Sequence, residues 1–226
     1  MAAHTYLSII IPALNAARTL SSVMAPLGGK AEEIIVIDGG STDETVDIAK
    51  AAGAEVTICD RGRGTQLQLG GEKAAGVWLL FLHADTRLSD NWRNAAENFI
   101  SHPGNRHRAA VFRFALNDPS SNARRIESFV NWRSRKLGLP YGDQALLISR
   151  EYYDSLGGFR PIPLMEDVDI VRRIGRDRLT VLNATAMTSS VRYREDGWWL
   201  RPIRNILCLS LYFVGVPPRI LAKIYQ

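Results

Sequence analysis

The chain has 226 residues, of which 46% are hydrophobic and 23% charged, and its formal net charge is +5. This composition excludes extended disorder, and the length is sufficient for one sizeable hydrophobic core. The positive charge favours anionic partners such as phosphorylated small molecules or acidic lipid surfaces. It is not accompanied by a nucleic-acid recognition motif, so we expect no nucleic-acid partner. The two cysteines, Cys59 and Cys208, lack metal-ligand spacing.

Strands and helices alternate in the first half of the chain. Leu7–Ile11 is predicted as a strand and Ala16–Leu27 as a helix, and Ser41 or Thr42 is predicted to cap a second helix. Further strands are predicted at Glu33–Asp38, Glu55–Asp60 and Val77–His83. This alternation predicts an α/β fold with a Rossmann-like, mostly parallel central sheet and flanking helices, in which residues 1–88 form a nucleotide-binding half.

The second half of the chain is less regular but contains no linker or repeat, so we expect one compact domain over residues 1–226. Its predicted helices are Trp92–Ile100, Asn122–Leu137, Tyr152–Leu156 and Val168–Ile174. Its predicted strands are Ala109–Leu116, Gln144–Ser149, Leu179–Leu182 and Thr188–Tyr193.

The two ends of the chain bear on its location. Ile9–Ile11 is too short for the apolar part of a signal peptide, so we expect a cytoplasmic protein. Residues 198–226 form a C-terminal helical segment, and its apolar stretch Ile206–Val216 is too short to span a bilayer. This segment either packs against the domain or a second subunit in a homodimer, or it lies at the inner face of the membrane through residues 198–216.

Acidic residues follow two of the predicted strands. Asp85 comes after the apolar run Val77–Leu82, where it could hold a divalent cation against a phosphate or cap a helix beginning near Ser89. Asp38 ends another strand, where it could accept hydrogen bonds from a nucleobase or serve as a turn residue before Gly39. Ligands of open α/β sheets bind at these carboxyl ends of strands.

A third acidic position is the pair Glu166-Asp167. The pair follows a loop stiffened by Pro161 and Pro163, and it opens the helix Val168–Ile174. Acidic residues at a helix start also occur for dipole reasons alone. The order of the three acidic positions along the chain is therefore more informative than any one of them.

The sequence resembles glycosyltransferase family 2 over nearly the whole chain, because it contains the motifs of that family in the same order. The motifs that carry the resemblance are Ser8-Ile-Ile-Ile-Pro12-Ala-Leu-Asn15, Ile34-Ile-Val-Ile-Asp38-Gly-Gly-Ser-Thr-Asp43, Phe81-Leu-His83-Ala-Asp85, Gly157-Gly-Phe159 and Glu166-Asp167. Arg61-Gly-Arg63-Gly-Thr-Gln66 and Tyr141-Gly-Asp-Gln144 narrow it to a small bacterial branch labelled radical-SAM/selenodomain-associated transferase.

The resemblance implies a GT-A fold, a nucleoside diphosphate sugar donor and a Mn or Mg ion. It implies that Asp85 binds the metal, that Asp167 is the general base of an inverting transfer, and that Glu166 assists or orients Asp167. The residues that it implies for the nucleotide-sugar site are Pro12, Ala13, Asn15, Asp38, Gly39, Arg63, Gln66, His83 and Ala84. Arg192 and Arg194, on the last predicted strand, are candidates for stabilising the departing diphosphate.

One departure from the family pattern affects the metal. The Asp-x-Asp motif of the family stands here as His83-Ala-Asp85, so the first carboxylate is missing. His83 either ligates the metal, with a preference for softer ions, or serves as a structural hydrogen-bonding residue.

Two other functions remain open. A nucleotidyltransferase would need a glycine-rich phosphate loop after the first strand, where this chain has Pro12-Ala-Leu-Asn15. A non-catalytic nucleotide-sugar-binding or regulatory protein is suggested by His83, but the presence of Asp85 together with Glu166-Asp167 argues against it. The acceptor is not identified, although the Arg-rich helix Asn122–Leu137 suggests an anionic or lipid-phosphate acceptor.

Overall fold

The structure, a computed structural model, describes residues 7–28 and 32–225. A central eight-stranded mixed sheet runs through this part of the chain. Its strands are β1 (Leu7–Ala13), β2 (Glu32–Asp38), β3 (Glu55–Ile58), β4 (Trp78–Phe81), β5 (Thr86–Leu88), β6 (Ala109–Leu116), β7 (Leu146–Ser149) and β8 (Leu179–Thr188). They lie in the order β3-β2-β1-β4-β7-β6-β8-β5. The predicted α/β class with flanking helices is confirmed.

The strands β3, β2, β1 and β4 form the parallel half of the sheet. All seven residues of β1 are buried because helices cover both faces of this half. These helices are α1 (Ala17–Met24), α2 (Thr45–Ala51) and α3 (Arg63–Lys73). Because these strands are parallel, the carboxyl ends of β1, β2 and β4 lie at one edge of the sheet.

Helix α3 is not predicted from the sequence, since its glycines have low helix propensity. The same glycines let α3 pack closely against the sheet and against a neighbouring helix. A Cβ at Gly70 would lie 2.2 Å from Ile10 Cγ2, and one at Gly71 would lie 2.5 Å from the Tyr153 hydroxyl. Close packing therefore overrides local propensity in this element.

The second half of the sheet is mixed. β7 pairs antiparallel with both β4 and β6, β6 pairs parallel with β8, and β5 pairs antiparallel with β8. The helices of this half are α4 (Trp92–Ile100), α5 (Ser121–Leu137), α6 (Arg150–Ser155), α7 (Glu166–Ile174) and α8 (Val191–Asp196). A short 3-10 turn at Gly142–Gln144 precedes β7.

The predicted strand Thr188–Tyr193 is wrong. β8 is longer than predicted and ends at Thr188, and the chain then turns into α8. The carbonyl of Ser190 accepts hydrogen bonds from the amides of Tyr193 and Arg194, which starts the helix. Tyr193 is buried, whereas Val191 is 51% exposed, so the apolar residues that suggested a strand lie on different sides of a helix.

The C-terminal segment forms two helices, α9 (Leu200–Phe213) and α10 (Pro218–Tyr225). Cys208 and Leu221 are fully buried in one cluster with Met165 and Val168, at the start of α7. The segment thus packs against the domain, as one of the predicted alternatives proposed. No helix in the described part of the chain combines the length and apolarity that a bilayer span requires.

Candidate functional site

Two adjoining cavities lie at the carboxyl ends of β1 and β4. The large cavity has a volume of about 660 Å³ and the small cavity about 110 Å³. The predicted site residues that line the large cavity are Pro12, Ala13, Asn15, Arg63, Gln66, His83, Ala84, Asp85 and Arg192. The residues common to both cavities are Arg63, His83, Asp85, Ser189 and Arg192, and Asp167 lines the small one.

The loops after β1 and β2 bind each other at the rim of the large cavity. Asn15 has a φ of 49°, a left-handed conformation that asparagine tolerates better than most residues. Its amide donates to Ser41 Oγ at 2.8 Å, and its Oδ1 accepts from the amide of Thr42 at 2.9 Å. The predicted capping of α2 by Ser41 or Thr42 is therefore wrong, because α2 begins at Thr45 and the two residues bind Asn15 instead.

Asp38 is buried at the end of β2 and shapes the loop that follows it. Its Oδ2 accepts hydrogen bonds from the amides of Gly40 at 2.9 Å and Ser41 at 2.8 Å. Gly39 packs against the Gln66 amide group, which donates to the carbonyls of Ala13 and Ile37. Asp38 and Gly39 are not among the residues that line the large cavity, whereas Gln66 is.

Asp85 is held by the pairing of β5 with β8. Thr86 Oγ1 lies 2.9 Å from Thr188 Oγ1, and the Asp85 carbonyl accepts from the amide of Ser189 at 3.1 Å. The alternative that Asp85 caps the next helix is wrong, because β5 intervenes and Asn91 occupies the cap position of α4. The Asp85 carboxylate is thus left to face both cavities.

His83 is neutral at physiological pH. Burial and the neighbouring Arg63 lower its pKa to about 4, although Asp85 and Asp167 oppose this shift. Its Nε2 packs close to Gly142, where an added Cβ would approach to 2.4 Å. A neutral imidazole in this position can accept or donate a hydrogen bond at the boundary of the two cavities.

Glu166 and Asp167 stand at the start of α7 but face different surroundings. Met165 has a φ of 67°, and this turn brings both acids to the first positions of the helix. Glu166 is fully buried and forms an ion pair with Arg63. Asp167 lines the small cavity, and its two carboxylate oxygens accept from the amides of Gly142 at 2.8 Å and Val168 at 2.7 Å.

The ion pair fixes the charge state of Arg63. Burial disfavours the charged guanidinium, but Glu166 and Asp167 raise the pKa of Arg63 above its ordinary value. Burial also raises the pKa of the Glu166 carboxyl, and Arg63 opposes that rise. Arg63 lines both cavities and Glu166 lines neither, so Glu166 acts on the cavities through the position of Arg63.

Arg192 and Arg194, the two arginines predicted to stabilise the departing diphosphate, both lie on α8 but have different surroundings. Arg192 lines both cavities. Arg194 instead donates to Asp118 Oδ2 through Nε at 2.9 Å and Nη2 at 2.5 Å. Residues two positions apart on a helix point in different directions, which explains why only one of the two arginines faces the cavities. The structure thus places Arg194 outside both cavities.

Tyr141 and Asp143 are among the side chains of the small cavity that sequence reasoning missed. Burial raises the pKa of Tyr141 to about 12 and that of Asp143 to about 6. Arg133 lies over the Tyr141 ring with its Cζ 3.6 Å from the centroid. The signal was the motif Tyr141–Gln144, which marked the family resemblance without suggesting a role for its members.

The residues that face the cavities fit a divalent cation shared with a ligand. No group of three or more His, Cys, Asp or Glu side chains that could enclose a metal occurs among residues 7–28 and 32–225. Mg²⁺ bound to phosphates, however, commonly takes only one or two protein carboxylates and completes its shell with phosphate oxygens and water. The Asp85 carboxylate, whose nearest side-chain partner is Thr86 Oγ1 at 3.4 Å, is available for such a role.

Comparison with known protein families gives a match to the model described as "Glycosyl transferase family 2" over residues 8–159. Among curated proteins, a PGL/p-HBAD biosynthesis glycosyltransferase of Mycobacterium bovis is 40% identical over 91 residues, which are 36% of this chain and 36% of that protein. A glucosyl-3-phosphoglycerate synthase of Mycolicibacterium smegmatis is 51% identical over 53 residues, which are 22% of this chain and 18% of that protein. The chain thus matches about a third or less of the length of these relatives.

Solved structures match over nearly the whole chain. A mannosyltransferase of Pyrobaculum calidifontis, in complex with GDP-Man and Mn²⁺, has a TM-score of 0.69 at 16% identity and covers 97% of this chain and 67% of its own. Glucosyl-3-phosphoglycerate synthase of Mycobacterium tuberculosis, with Mn²⁺ and UDP, has a TM-score of 0.62 at 21% identity and covers 94% of this chain and 81% of its own. The fold is therefore that of the GT-A glycosyltransferases, as the sequence predicted.

Proposed function

Because the chain belongs to glycosyl transferase family 2, we propose that it transfers a sugar from a nucleoside diphosphate sugar to an acceptor hydroxyl with inversion. The observation that carries this proposal is the meeting of Asp85, Asp167 and Arg192 at the small cavity, although they belong to distant parts of the chain. A carboxylate for a cation, a carboxylate for a proton and a guanidinium for a leaving anion are the groups that such a transfer needs.

The large cavity is the proposed donor site. Its volume of about 660 Å³ lies within the range of roughly 300–1,000 Å³ that is usual for small-molecule sites. Pro12, Ala13 and Asn15 would border the nucleoside. Asp38 would act on the nucleoside side indirectly, by holding the loop that contains Ser41 and hence Asn15. Similar structures in complex with UDP-GlcNAc, UDP or GDP-Man support a nucleotide-sugar donor.

Asp85 is the proposed ligand of a Mn or Mg ion, with His83 beside it. A bound cation would neutralise charge on the diphosphate as it leaves. Arg192 and Arg63 both line the small and large cavities, where their positive charges would stabilise the same leaving group. Glu166 is a positioning residue in this proposal, since it orients Arg63 from a fully buried site.

Asp167 is the proposed general base. It would accept the proton of the acceptor hydroxyl as the oxygen of that hydroxyl attacks the anomeric carbon from the side opposite the diphosphate. The bond from the anomeric carbon to the diphosphate oxygen breaks, and the product has the inverted configuration. The two amide hydrogen bonds hold the Asp167 carboxylate in place at the small cavity.

We also propose that residues 1–88 carry most of the donor site, that residues 89–197 carry most of the acceptor site, and that the chain belongs to the bacterial branch named above. The alternatives remain a nucleotidyltransferase and a non-catalytic nucleotide-sugar-binding protein. The Asp167 carboxylate at the small cavity disfavours the second alternative, because a protein that only binds a nucleotide sugar has no need of a base there.

Thermal unfolding of the purified protein against a panel of nucleoside diphosphates and their sugars, with and without Mn or Mg, tests the donor site. A ligand at 100 times its dissociation constant adds about 2.7 kcal/mol to the free energy of unfolding. We expect metal-dependent stabilisation by one nucleotide class. An unchanged melting temperature with every nucleotide would contradict the proposal.

Substitution Asp167→Asn tests the catalytic assignment. A positioned carboxylate base contributes roughly 10²- to 10⁴-fold to a rate, so we expect turnover to fall by that factor while nucleotide stabilisation persists. The matched control is Asp90→Asn, since the Asp90 side chain is 95% exposed and pairs only at 3.7 Å with Arg87. Near wild-type turnover of Asp167→Asn would show that another group is the base.

A further inference from the structure

A third cavity adjoins the small cavity. It has a volume of about 320 Å³ and lies between α5 and the start of α9. Its apolar lining includes Ile126, Phe129, Val130, Trp199, Ile203 and Ile206. We call it the apolar cavity. The two cavities share the lining residues Tyr141, Asp143, Tyr193 and Asn205.

Unpartnered polar atoms gather where the apolar and small cavities join. The buried atoms Arg133 Nε and Nη2, Tyr141 OH, Asp143 Oδ1 and Asn205 Oδ1 have no hydrogen-bond partner within the described part of the chain. Arg133 is only 5% exposed. Buried polar groups in folded proteins are nearly always hydrogen-bonded, so a cluster of exceptions calls for partners from outside the chain, either water or a ligand. We call these four residues the polar junction.

Apolar surface continues outward from the mouth of this cavity. Phe129, Trp199 and Ile203 line the cavity but remain 44%, 60% and 60% exposed, and the neighbouring Leu200 is 70% exposed. A compact ring would fill the cavity and leave this outer surface in water. A chain longer than the cavity would cover it, and burial of apolar surface favours that arrangement.

Resting on the proposed function, we propose that the acceptor is an amphiphile in which a hydroxylated head group is joined to an alkyl chain. The head group enters the small cavity and presents its hydroxyl to Asp167. The polar linkage between head and chain binds the polar junction. The alkyl chain occupies the apolar cavity and leaves it between α5 and α9. The shared lining of the two cavities and the order of the lining residues, acidic, polar and then apolar, carry this assignment.

The test uses n-octyl β-D-glucoside below its micellar concentration, with methyl β-D-glucoside and phenyl β-D-glucoside as comparison probes. Binding is measured by isothermal titration calorimetry on the full chain. We expect the octyl probe to bind at least tenfold more tightly than the other two. Equal affinity for the octyl and methyl probes would overturn the proposal, and equal affinity for the octyl and phenyl probes would overturn the assignment of an alkyl chain.

Matched variants on α9 locate the binding. Ile203→Trp fills the apolar cavity, whereas Leu207→Trp adds the same ring outside its lining, at a residue that is 49% exposed. We expect octyl binding to weaken at least tenfold in Ile203→Trp and to stay unchanged in Leu207→Trp. Ile206→Trp, at a second lining residue that is 44% exposed, repeats the test if the first variant does not fold. Equal octyl affinities in the lining and control variants would refute the cavity as the binding site.

The donor readout separates this proposal from the proposed function. Both Trp variants should keep the nucleotide-dependent melting shift of the wild-type protein, because α9 contributes no residue to the large cavity. If that shift persists but the affinity for the octyl probe is the same in the lining and control variants, only the proposed acceptor class is wrong. If nucleotides do not change the melting temperature of the wild-type protein, the proposed donor site is wrong. The affinity for the octyl probe still shows whether the apolar cavity binds an alkyl chain.

Discussion

At the scale of single residues, Gly142 joins two of the side chains that the family resemblance identified. Its amide donates to Asp167 Oδ2 at 2.8 Å, and its Cα packs so closely on His83 that a Cβ would lie 2.4 Å from Nε2. The glycine therefore sets the separation between the proposed base and the imidazole. No pattern in the sequence indicates this, because the three residues are far apart along the chain.

Substitution Gly142→Ala should displace His83 or Asp167. A displacement of about 1 Å in a catalytic group can cost roughly 10²-fold in rate, so we expect kcat to fall by about that factor. Gly28→Ala is the control, since a Cβ at Gly28 meets nothing within 4 Å among the described residues. A wild-type kcat in Gly142→Ala would mean that the structure accommodates the added methyl group without displacing a catalytic group.

Motif matching predicted which residues concentrate near the cavities better than it predicted what each one touches. Asp38 and Arg194 both fit the patterns, yet Asp38 binds its own loop and Arg194 binds Asp118. Each outcome depends on the direction of one side chain. Motif position specifies the backbone location of a residue, but the neighbours that compete for its hydrogen bonds come from other parts of the chain.

At the scale of elements, helix α5 completes the hydrogen bonding of β6. β7 pairs only with the first two residues of β6, Ala109 and Ala110, which leaves its later residues without a partner strand on that side. Asn131 on α5 accepts from the amide of Phe114 and donates to its carbonyl, both at 2.9 Å. Glu127 Oε1 accepts from the amide of Leu116 at 2.7 Å. Side chains of a helix thus replace a strand.

Substitution Asn131→Ala should be strongly destabilising for this reason. It leaves both backbone groups of the buried Phe114 unpaired, and each unsatisfied group costs about 1–3 kcal/mol, so we expect a loss of about 2–6 kcal/mol. Chemical denaturation measures the difference. Asn122→Ala on the same helix is the control, and a loss in Asn131→Ala no larger than in this control would contradict the role.

The sequence predicts helix α5 but not its contacts, because those depend on tertiary packing. Its arginine-rich pattern does not indicate that Asn131 and Glu127 bind a strand. The glycines of α3 disfavour a helix locally and are selected by close packing on β1. The long apolar strands β1 and β4, in contrast, are buried on both faces, and their pattern was sufficient to predict them.

At the scale of the whole molecule, the C-terminal segment is part of the candidate site. Tyr225 lines the small cavity and Ala222 lines the large one, and both belong to α10. Leu221 anchors this helix in the cluster with Met165 and Val168, directly before and after the acidic pair of α7. The alternation of strands and helices predicted the sheet, but the sequence does not indicate that the last helix returns to its carboxyl edge.

Substitution Leu221→Ala should therefore affect both stability and the site. Large-to-small changes at fully buried leucines cost about 2–5 kcal/mol, so we expect the melting temperature to fall by several degrees. Loosening of α10 should also weaken nucleotide stabilisation. Ile220→Ala, at a neighbouring residue that is 50% exposed, is the control. If the two variants had equal melting temperatures, α10 would not be anchored as described.

The mutual binding of the loops after β1 and β2 has a consequence for local opening. The amides of Asn15, Ala16 and Ala17 donate to side chains of Ser41, Thr45 and Asp43, so the start of α1 is capped by the next βα unit. Neither loop can open without breaking the bonds of the other. Their amide protons should therefore show one common opening free energy in hydrogen–deuterium exchange, as a single cooperative unit, and a nucleotide bound to either loop would slow exchange in both.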